Sequence, residues 1–124
     1  MTGKRILHIE DNSFNRKIVR NLLARTSYQL AEASDGVQGL DAARAAPPDL
    51  VLVDIQLPQM SGLEVTRELR ADRRTAHVPI IVITSFALSG DDQRAKDAGA
   101  SDYVAKPYSP RELLAIIRRL APEA

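Results

Sequence analysis

The stretch Leu-Val-Leu-Val-Asp at residues 50–54 decides the fold of this chain. It is a continuous apolar run between two proline-containing segments, residues 47–48 and 57–58. Such a run is typical of a central strand that is buried on both faces of a parallel sheet. Asp54 is then the first residue to leave the sheet at its carboxyl edge, where open α/β sheets bind their ligands. The stretch therefore predicts both a parallel sheet and a functional carboxylate at its edge.

The length of 124 residues predicts one domain over residues 1–124, with enough core to fold without disulfides or structural metal. The chain has no cysteine, which excludes a thiolate metal site and suits a reducing cytoplasm. Its 17 Lys and Arg residues nearly balance 16 Asp and Glu residues, so direct nucleic-acid binding is not expected. The apolar stretch at residues 6–9 is too short for a signal peptide or a membrane span. We therefore expect a cytoplasmic protein without membrane contacts.

Strand-like and helix-like segments alternate along the whole chain. This alternation, with short connections, predicts a doubly wound α/β fold of five parallel strands with right-handed crossovers. The predicted strands cover residues 6–9, 28–33, 50–54, 79–84 and 101–105, and the predicted helices cover 13–25, 36–46, 63–72, 91–98 and a segment that starts at 109 or 110. The strands at 50–54 and 79–84 are the most apolar and should lie at or near the centre.

The helices differ in how much apolar surface they can bury. The helix at 91–98 is the most polar and should be held loosely. The predicted buried stripes are Ile18, Val19, Leu22 and Leu23 in the first helix, Val37, Leu40, Ala43 and Ala46 in the second, and Leu113, Ile116, Ile117 and Leu120 in the last. Asn12 or Ser13 should cap the first helix. Gly62 would permit a positive φ in the loop before the third helix.

Four of the five predicted strands end in a reactive polar group: Glu10 with Asp11, Asp54, Thr84 and Lys106. Because the strands are parallel, these ends meet at one edge of the sheet. Two like charges about 4 Å apart repel by roughly 4 kcal/mol at an effective dielectric constant near 20, so clustered carboxylates require positive charge. Lys106 supplies one charge, and Mg²⁺ suits the rest because it binds one or two carboxylates, several waters and a phosphate oxygen.

Asp54 is the candidate nucleophile, since carboxylates form aspartyl-phosphate intermediates. Lys106 and Mg²⁺ would neutralise the equatorial phosphoryl oxygens, and the Thr84 hydroxyl would donate a hydrogen bond to the phosphoryl group. Each residue also has a simpler interpretation: Glu10 and Asp11 as helix caps, Lys106 as part of a turn, and Thr84 as an ordinary β-branched strand residue. Their joint placement at strand ends favours phosphoryl transfer.

This arrangement resembles the receiver domain of bacterial two-component response regulators. The motifs that carry the resemblance are Glu10-Asp11, residues 53–58 with Gly62, residues 83–85 and residues 103–107. They extend over the whole chain, and the set is highly specific. The resemblance implies a flavodoxin-like fold with strand order 2-1-3-4-5. The segments 11–16 and 54–58 resemble both small stand-alone regulators of cell division and receivers attached to hybrid histidine kinases.

The resemblance implies a role for each residue of the predicted pocket. Asp54 is the implied phosphoacceptor. Glu10 and Asp11 are the implied acidic Mg²⁺ pair, with Asp54 and the backbone carbonyl of Gln56 as further ligands. Lys106 is implied to contact the phosphoryl group, often beside a cis peptide bond to the proline that follows it.

Four residues are implied to sense or tune the phosphoryl group. Thr84 follows it inward, and Tyr103 is the switch aromatic that turns inward behind Thr84, reshaping the face formed by the fourth helix, fifth strand and fifth helix. Gln56 and Phe86 lie at the pocket mouth. We expect Phe86 to limit water access, so that a Phe86→Ala protein loses its phosphate faster; the alternative is that Phe86 simply packs on the surface.

The implied function is a phosphorylation-activated signalling switch. Its phosphoryl group would come from a phosphohistidine on a sensor histidine kinase or a histidine phosphotransfer protein. Output would be altered contact with a downstream protein target, or a homodimer through the same three elements, since no effector domain is predicted. Catalysis would be limited to self-phosphorylation and autodephosphorylation. His8 and His77 lie away from the carboxyl ends of the strands and are interpreted as structural or solvent residues.

Two other functions share the predicted fold. A Mg²⁺-dependent phosphohydrolase with an aspartate nucleophile is disfavoured because Gln56 stands where a second Asp would follow Asp54, and because no cap domain is predicted. A flavodoxin-type cofactor binder is disfavoured because the chain has three Tyr, two Phe and no Trp, and no phosphate-binding loop after the first strand. The P-loop motif of nucleotide hydrolases does not occur.

Overall fold

A computed structural model describes residues 3–84 and 90–123 of the chain. The strands are β1 (Arg5–Ile9), β2 (Gln29–Ala33), β3 (Leu50–Asp54), β4 (Ile80–Thr84) and β5 (Asp102–Ala105), and the helices are α1 (Ser13–Leu23), α2 (Gly36–Ala45), α3 (Gly62–Ala71), α4 (Asp91–Ala98) and α5 (Pro110–Leu120). The predicted alternation is confirmed, with element ends that differ by no more than about two residues.

The five strands pair in parallel in the order β2-β1-β3-β4-β5. Every residue of β3 and of β4 is buried. In the register of the sheet, Leu52 of β3 lies between His8 of β1 and Ile81 of β4. The flavodoxin-like strand order is therefore confirmed, and the two most apolar strands lie at or next to the centre of the sheet.

The sheet separates two apolar clusters, because successive side chains of a strand point to opposite faces. Helices α1 and α5 cover one face, and α2, α3 and α4 cover the other. The main helix residues in these clusters are Val19, Leu23, Leu113 and Ile117 on the first face and Leu40, Val65, Leu69 and Ala95 on the second. The doubly wound arrangement leaves the carboxyl ends of the strands at one edge.

Short polar side chains cap four of the helices. The Oδ1 of Asn12 accepts a hydrogen bond from the backbone N–H of Asn15 at 3.0 Å, so Asn12 is the N-cap of α1. The corresponding caps of α2, α3 and α5 are Asp35, Ser61 and Ser109. Each cap satisfies a backbone N–H of the first turn, an interaction typically worth about 1 kcal/mol.

The buried face of α2 differs from the predicted stripe. Val37 is 50% exposed and Ala46 is also exposed, whereas Gly39 and Leu40 are buried. A Cβ at Gly39 would lie 2.3 Å from Cδ1 of Ile9, so glycine allows α2 to approach β1 closely. Leu40 and Ala43 are buried as predicted, but the hydrophobic pattern missed Gly39 because a glycine contributes no apolar side chain.

Helices α4 and α5 differ in buried apolar surface, as predicted. Leu113 and Ile117 of α5 are fully buried, whereas the buried apolar side chains of α4 are the small residues Ala95 and Ala98. In α1 the buried stripe is narrower than predicted, because Ile18 is 36% exposed.

None of the helices within residues 3–84 and 90–123 combines the length and apolar character that a membrane crossing requires.

Candidate functional site

Three charged side chains from three different strands meet at the carboxyl edge of the sheet. The Nζ of Lys106, which follows β5, lies 2.6 Å from Oδ2 of Asp54 and 3.1 Å from Oε1 of Glu10. Asp54 ends β3 and is 3% exposed, and Glu10 follows β1 and is 2% exposed. The structure thus brings these three residues together as the parallel topology predicts.

The charges of this cluster are unbalanced. Burial, followed by the hydrogen bond and the negative charge of Asp54, raises the pKa of Glu10 to about 7 against the opposing effect of Lys106. For Lys106, burial opposes the positive charge, but the hydrogen bonds and charges of Asp54 and Glu10 outweigh it and raise the pKa. One cation faces two buried carboxylates, so further positive charge would stabilise the fully ionised site.

The loop between β3 and α3 holds Asp54 in place. Gln56 donates its backbone N–H to Oδ1 of Asp54 at 2.9 Å, and Gly62 donates its N–H to the carbonyl of Ile55 at 2.9 Å. A Cβ at Gly62 would lie 2.1 Å from the carbonyl oxygen of Asp54, which only glycine avoids. Gly62 does not use the positive φ that glycine permits; in this loop a positive φ of 67° occurs at Gln59. Glycine is required here for close approach to Asp54.

The two acidic residues after β1 have different surroundings. The Oε2 of Glu10 accepts a hydrogen bond from the backbone N–H of Asn12 at 3.3 Å, while its other oxygen contacts Lys106. Asp11 is exposed. Because Asn12 caps α1, the interpretation of Glu10 and Asp11 as helix caps is wrong. Neither carboxylate caps the helix, and that of Glu10 belongs to the charged cluster through its contact with Lys106.

The candidate switch residues lie on β4 and β5. Thr84 ends β4, is 1% exposed, and its carbonyl accepts a hydrogen bond from the backbone N–H of Lys106 at 2.6 Å. Tyr103 of β5 is half-buried. The peptide bond between Lys106 and Pro107 is cis, as the resemblance implies. Phe86, expected at the pocket mouth, lies outside the described residues.

Two features near the site were not predicted from the sequence. Arg16 was expected only on the polar face of α1, yet its Nη1 donates a hydrogen bond to the backbone carbonyl of Glu10 at 2.8 Å. His8 is 2% exposed, its Nδ1 has no hydrogen-bond partner among the described residues, and burial lowers its pKa to about 4. His77 is exposed. A cation near a helix N-terminus, where the helix dipole disfavours it, is the sequence signal that could have indicated a role for Arg16 outside the helix.

The oxygen donors at this edge fit a magnesium ion. Glu10, Asp11 and Asp54 offer carboxylates, and Gln56 offers a backbone carbonyl close to Asp54. Mg²⁺ needs only one or two carboxylates and completes its octahedron with waters and phosphate oxygens. In the part of the chain that the structure describes, no group of three or more His, Cys, Asp or Glu side chains is arranged to hold an ion by itself. The raised pKa of Glu10 indicates that a cation here would relieve a buried charge.

Sequence comparison places the chain among known signalling proteins. Residues 6–118 match the model of the response regulator receiver domain. The polar-differentiation response regulator DivK of Brucella ovis is 40% identical over 115 residues, which cover 93% of this chain and 94% of the relative. DivK of Brucella abortus is similar to the same extent. These matches favour the receiver resemblance over the phosphohydrolase and flavodoxin alternatives.

Comparison with solved structures gives the same result. The receiver domain of a sensor histidine kinase from Pseudomonas aeruginosa, with a magnesium ion coordinated in its active site cleft, superposes with a TM-score of 0.89 and 37% identity over 96% of this chain and 98% of that one. The chemotaxis protein CheY4 of Vibrio cholerae gives a TM-score of 0.88 and 27% identity over 94% of this chain and 98% of that one. This chain therefore belongs to the response regulator receiver domain family, whose members act as phosphorylation-activated signalling switches.

Proposed function

We propose that this receiver domain accepts a phosphoryl group on Asp54 from a phosphohistidine and changes its protein contacts in response. The observation that carries the proposal is the 2.6 Å contact between Asp54 and Lys106 beside the buried carboxyl of Glu10. Phosphoryl transfer depends mainly on a positioned nucleophile and on neutralised charge. A strand end that holds a carboxylate against an ammonium group supplies both.

In the proposed reaction, a carboxylate oxygen of Asp54 attacks the phosphorus atom of the donor. The new O–P bond forms as the P–N bond to the donor imidazole breaks, and the imidazole leaves with the electron pair of that bond. Lys106 neutralises negative charge on the phosphoryl oxygens. Mg²⁺, held by the carboxylates of Glu10, Asp11 and Asp54 and by the Gln56 carbonyl, would supply the remaining positive charge. The only reactions catalysed would be this transfer and the later hydrolysis of the acyl phosphate.

Thr84 and Tyr103 would carry the change away from Asp54. Thr84 ends the strand next to β3, from which its hydroxyl can donate to a phosphoryl group on Asp54. Tyr103 lies on the following strand and would turn inward behind it. Helix α4 lies between them in the chain and buries little apolar surface, so its displacement costs little free energy. The surface formed by α4, β5 and α5 would then bind a downstream protein or a second copy of the chain.

The surroundings of the site suit docking of a phosphohistidine protein. Asp54 is 3% exposed, so a donor must approach it along the carboxyl edge. Phe14 on α1 is 68% exposed there, and Ile18 contributes a further apolar side chain. A groove of about 380 Å³ is lined by Asn15, Ile18, Lys106, Pro107, Tyr108 and Pro110. The exposed side chains of Phe14 and Ile18 and the adjacent groove form a partly apolar surface beside the site. We expect this surface to bind a sensor histidine kinase or a histidine phosphotransfer protein in the cytoplasm.

The proposal is tested by the intact mass of the protein after incubation with a small acyl-phosphate donor, with and without Mg²⁺. We expect a Mg²⁺-dependent gain of one phosphoryl group that is lost in Asp54→Asn. Asp41→Asn removes an equivalent carboxylate from the exposed face of α2 and should leave the gain unchanged. A gain that persists in Asp54→Asn, or no gain in the unaltered protein, would refute Asp54 as the acceptor.

A further inference from the structure

Arg16 contacts the peptide group that joins the two acidic residues of the site. Its Nη1 donates a hydrogen bond to the carbonyl oxygen of Glu10 at 2.8 Å, and this carbonyl belongs to the peptide between Glu10 and Asp11. On its other side, the backbone N–H of Glu10 donates to the carbonyl of Ala33 in β2 at 3.0 Å. The backbone of Glu10 is thus held by β2 and by Arg16.

The carbonyl that Arg16 contacts lies beyond the strand ladder. The last register pair between β1 and β3 joins Ile9 with Val53, one residue before Glu10. A buried backbone carbonyl without a hydrogen bond costs about 1–3 kcal/mol, and the residue that carries this one is 2% exposed. The half-buried side chain of Arg16 therefore replaces a bond that the neighbouring strand does not provide.

The position of Arg16 is unfavourable for helix α1 considered alone. The backbone N–H of Arg16 donates to the carbonyl of the N-cap residue Asn12 at 3.0 Å, which places Arg16 at the end of the first turn. A cation there opposes the helix dipole by about 0.3–1 kcal/mol. Its contact with the Glu10 carbonyl, beside two carboxylates, offsets this cost and gives the residue a role outside the helix.

We propose that Arg16 is a positioning residue for Mg²⁺ binding. By holding the peptide between Glu10 and Asp11, it fixes the directions in which the two carboxylates leave the backbone before the metal arrives. Ligands that are already ordered lose less conformational freedom on binding, and residues that orient metal ligands typically contribute tenfold or more to metal affinity. This inference rests on the proposed function, because the ion and its ligands are those named there.

Geometry and charge make opposite predictions for the loss of Arg16. A guanidinium group beside a metal site repels a divalent cation, so a residue that acted through charge alone would weaken Mg²⁺ binding. Removing it would then tighten binding. A residue that acts by positioning strengthens Mg²⁺ binding, and removing it would weaken binding. The sign of the change therefore separates the two roles.

The test measures the Mg²⁺ dissociation constant by isothermal titration calorimetry for the unaltered protein and three variants. For Arg16→Met we expect an increase of about tenfold. Arg16→Lys keeps the positive charge but loses the planar guanidinium group. Its dissociation constant should lie between those of the unaltered protein and Arg16→Met. Lys17→Met removes the same charge from the adjacent, exposed position of α1 and should change the constant less than about twofold.

The Mg²⁺ dependence of phosphorylation by a small acyl phosphate provides a second readout. Because the hydrogen bond of Arg16 is to the Glu10 carbonyl and those of Asp54 are to Gln56 and Lys106, the half-saturating Mg²⁺ concentration should rise in Arg16→Met while the rate at saturating Mg²⁺ is kept. A folded Arg16→Met protein that binds Mg²⁺ as tightly as the unaltered protein, or more tightly, would overturn the proposal. If Arg16→Met does not fold, an unchanged constant in Arg16→Lys would overturn it. Failure of the unaltered protein to bind Mg²⁺ would instead refute the proposed function.

Discussion

The centre of the sheet and its carboxyl edge consist of the same strands, but burial has opposite effects in the two regions. In the centre, Leu52 and Ile81 are fully buried among other apolar side chains, and this burial favours folding. At the edge, two residues further along β3, Asp54 is 3% exposed beside the equally buried Glu10. Burying these charges opposes folding. The free energy gained by burying the centre thus offsets the cost of burying carboxylates at the edge. The arrangement at the edge fits the proposed phosphoryl transfer, not folding.

The largest effect is expected in the centre, from Leu52→Ala. Leu52 is fully buried between β1 and β4, so its truncation leaves a cavity that the flanking strands cannot close. We expect the free energy of unfolding to fall by about 3 kcal/mol, measured by urea denaturation. Val37→Ala is the matched control, because Val37 is an apolar residue that is 50% exposed, and its loss should cost less than about 0.5 kcal/mol. Similar losses in the two variants would contradict this account of the centre.

A smaller effect of opposite sign is expected at the edge, from Glu10→Gln. Burial and the nearby Asp54 raise the pKa of Glu10 to about 7, so the ionised form destabilises the metal-free protein at pH 8. We expect the variant to be more stable in EDTA by on the order of 1–2 kcal/mol, while its Mg²⁺ affinity falls.

The control for this change is Glu68→Gln. Glu68 forms an exposed ion pair with Arg44 on the surface, and its neutralisation should alter stability by less than about 1 kcal/mol. Loss of stability in Glu10→Gln, measured in the same denaturation experiment, would show that the carboxylate supports folding. The contrast between the centre and the edge would then not hold.

The two regions were also predictable from the sequence for different reasons. The centre follows from apolar runs alone, because strands buried on both faces contain few polar residues. The edge follows from topology, since parallel strands bring Glu10, Asp54 and Lys106 together although they lie far apart in the chain. Both predictions depend on patterns that extend over a whole strand or the whole sheet.

The details that were missed depend on contacts between elements. The burial of Gly39 requires knowledge of how closely α2 approaches Ile9, and a glycine carries no apolar pattern. The positive φ at Gln59 follows from the path of the loop around Asp54. The contact of Arg16 with the Glu10 carbonyl joins a helix to a strand end, which helical periodicity does not report. Local sequence patterns locate elements, but they do not describe how these elements meet.

The smallest effect is expected in the pH dependence of the unaltered, metal-free protein, where Glu10 and His8 oppose each other. The pKa of Glu10 is raised from 4.5 to about 7, so its favourable contribution is present below pH 4.5 and is lost as the pH rises through 7. Burial lowers the pKa of His8 from 6.5 to about 4, so its contribution is present above pH 6.5 and is lost as the pH falls through 4. Between pH 4.5 and 6.5 these two contributions should largely cancel in the unaltered protein.

Replacing one of the two groups should reveal the other. In Glu10→Gln only the His8 contribution remains, so the free energy of unfolding should rise with pH between 4.5 and 6.5, by on the order of 1 kcal/mol per pH unit. The charged groups that act on His8 are Glu32, Lys106, Asp54 and Arg16, and the Glu10 substitution leaves all four in place. Denaturation in EDTA at several pH values gives the free energy of unfolding against pH for the unaltered protein and for Glu10→Gln. If they run parallel, then Glu10 does not titrate in this range, and the edge carries less electrostatic strain than its burial indicates.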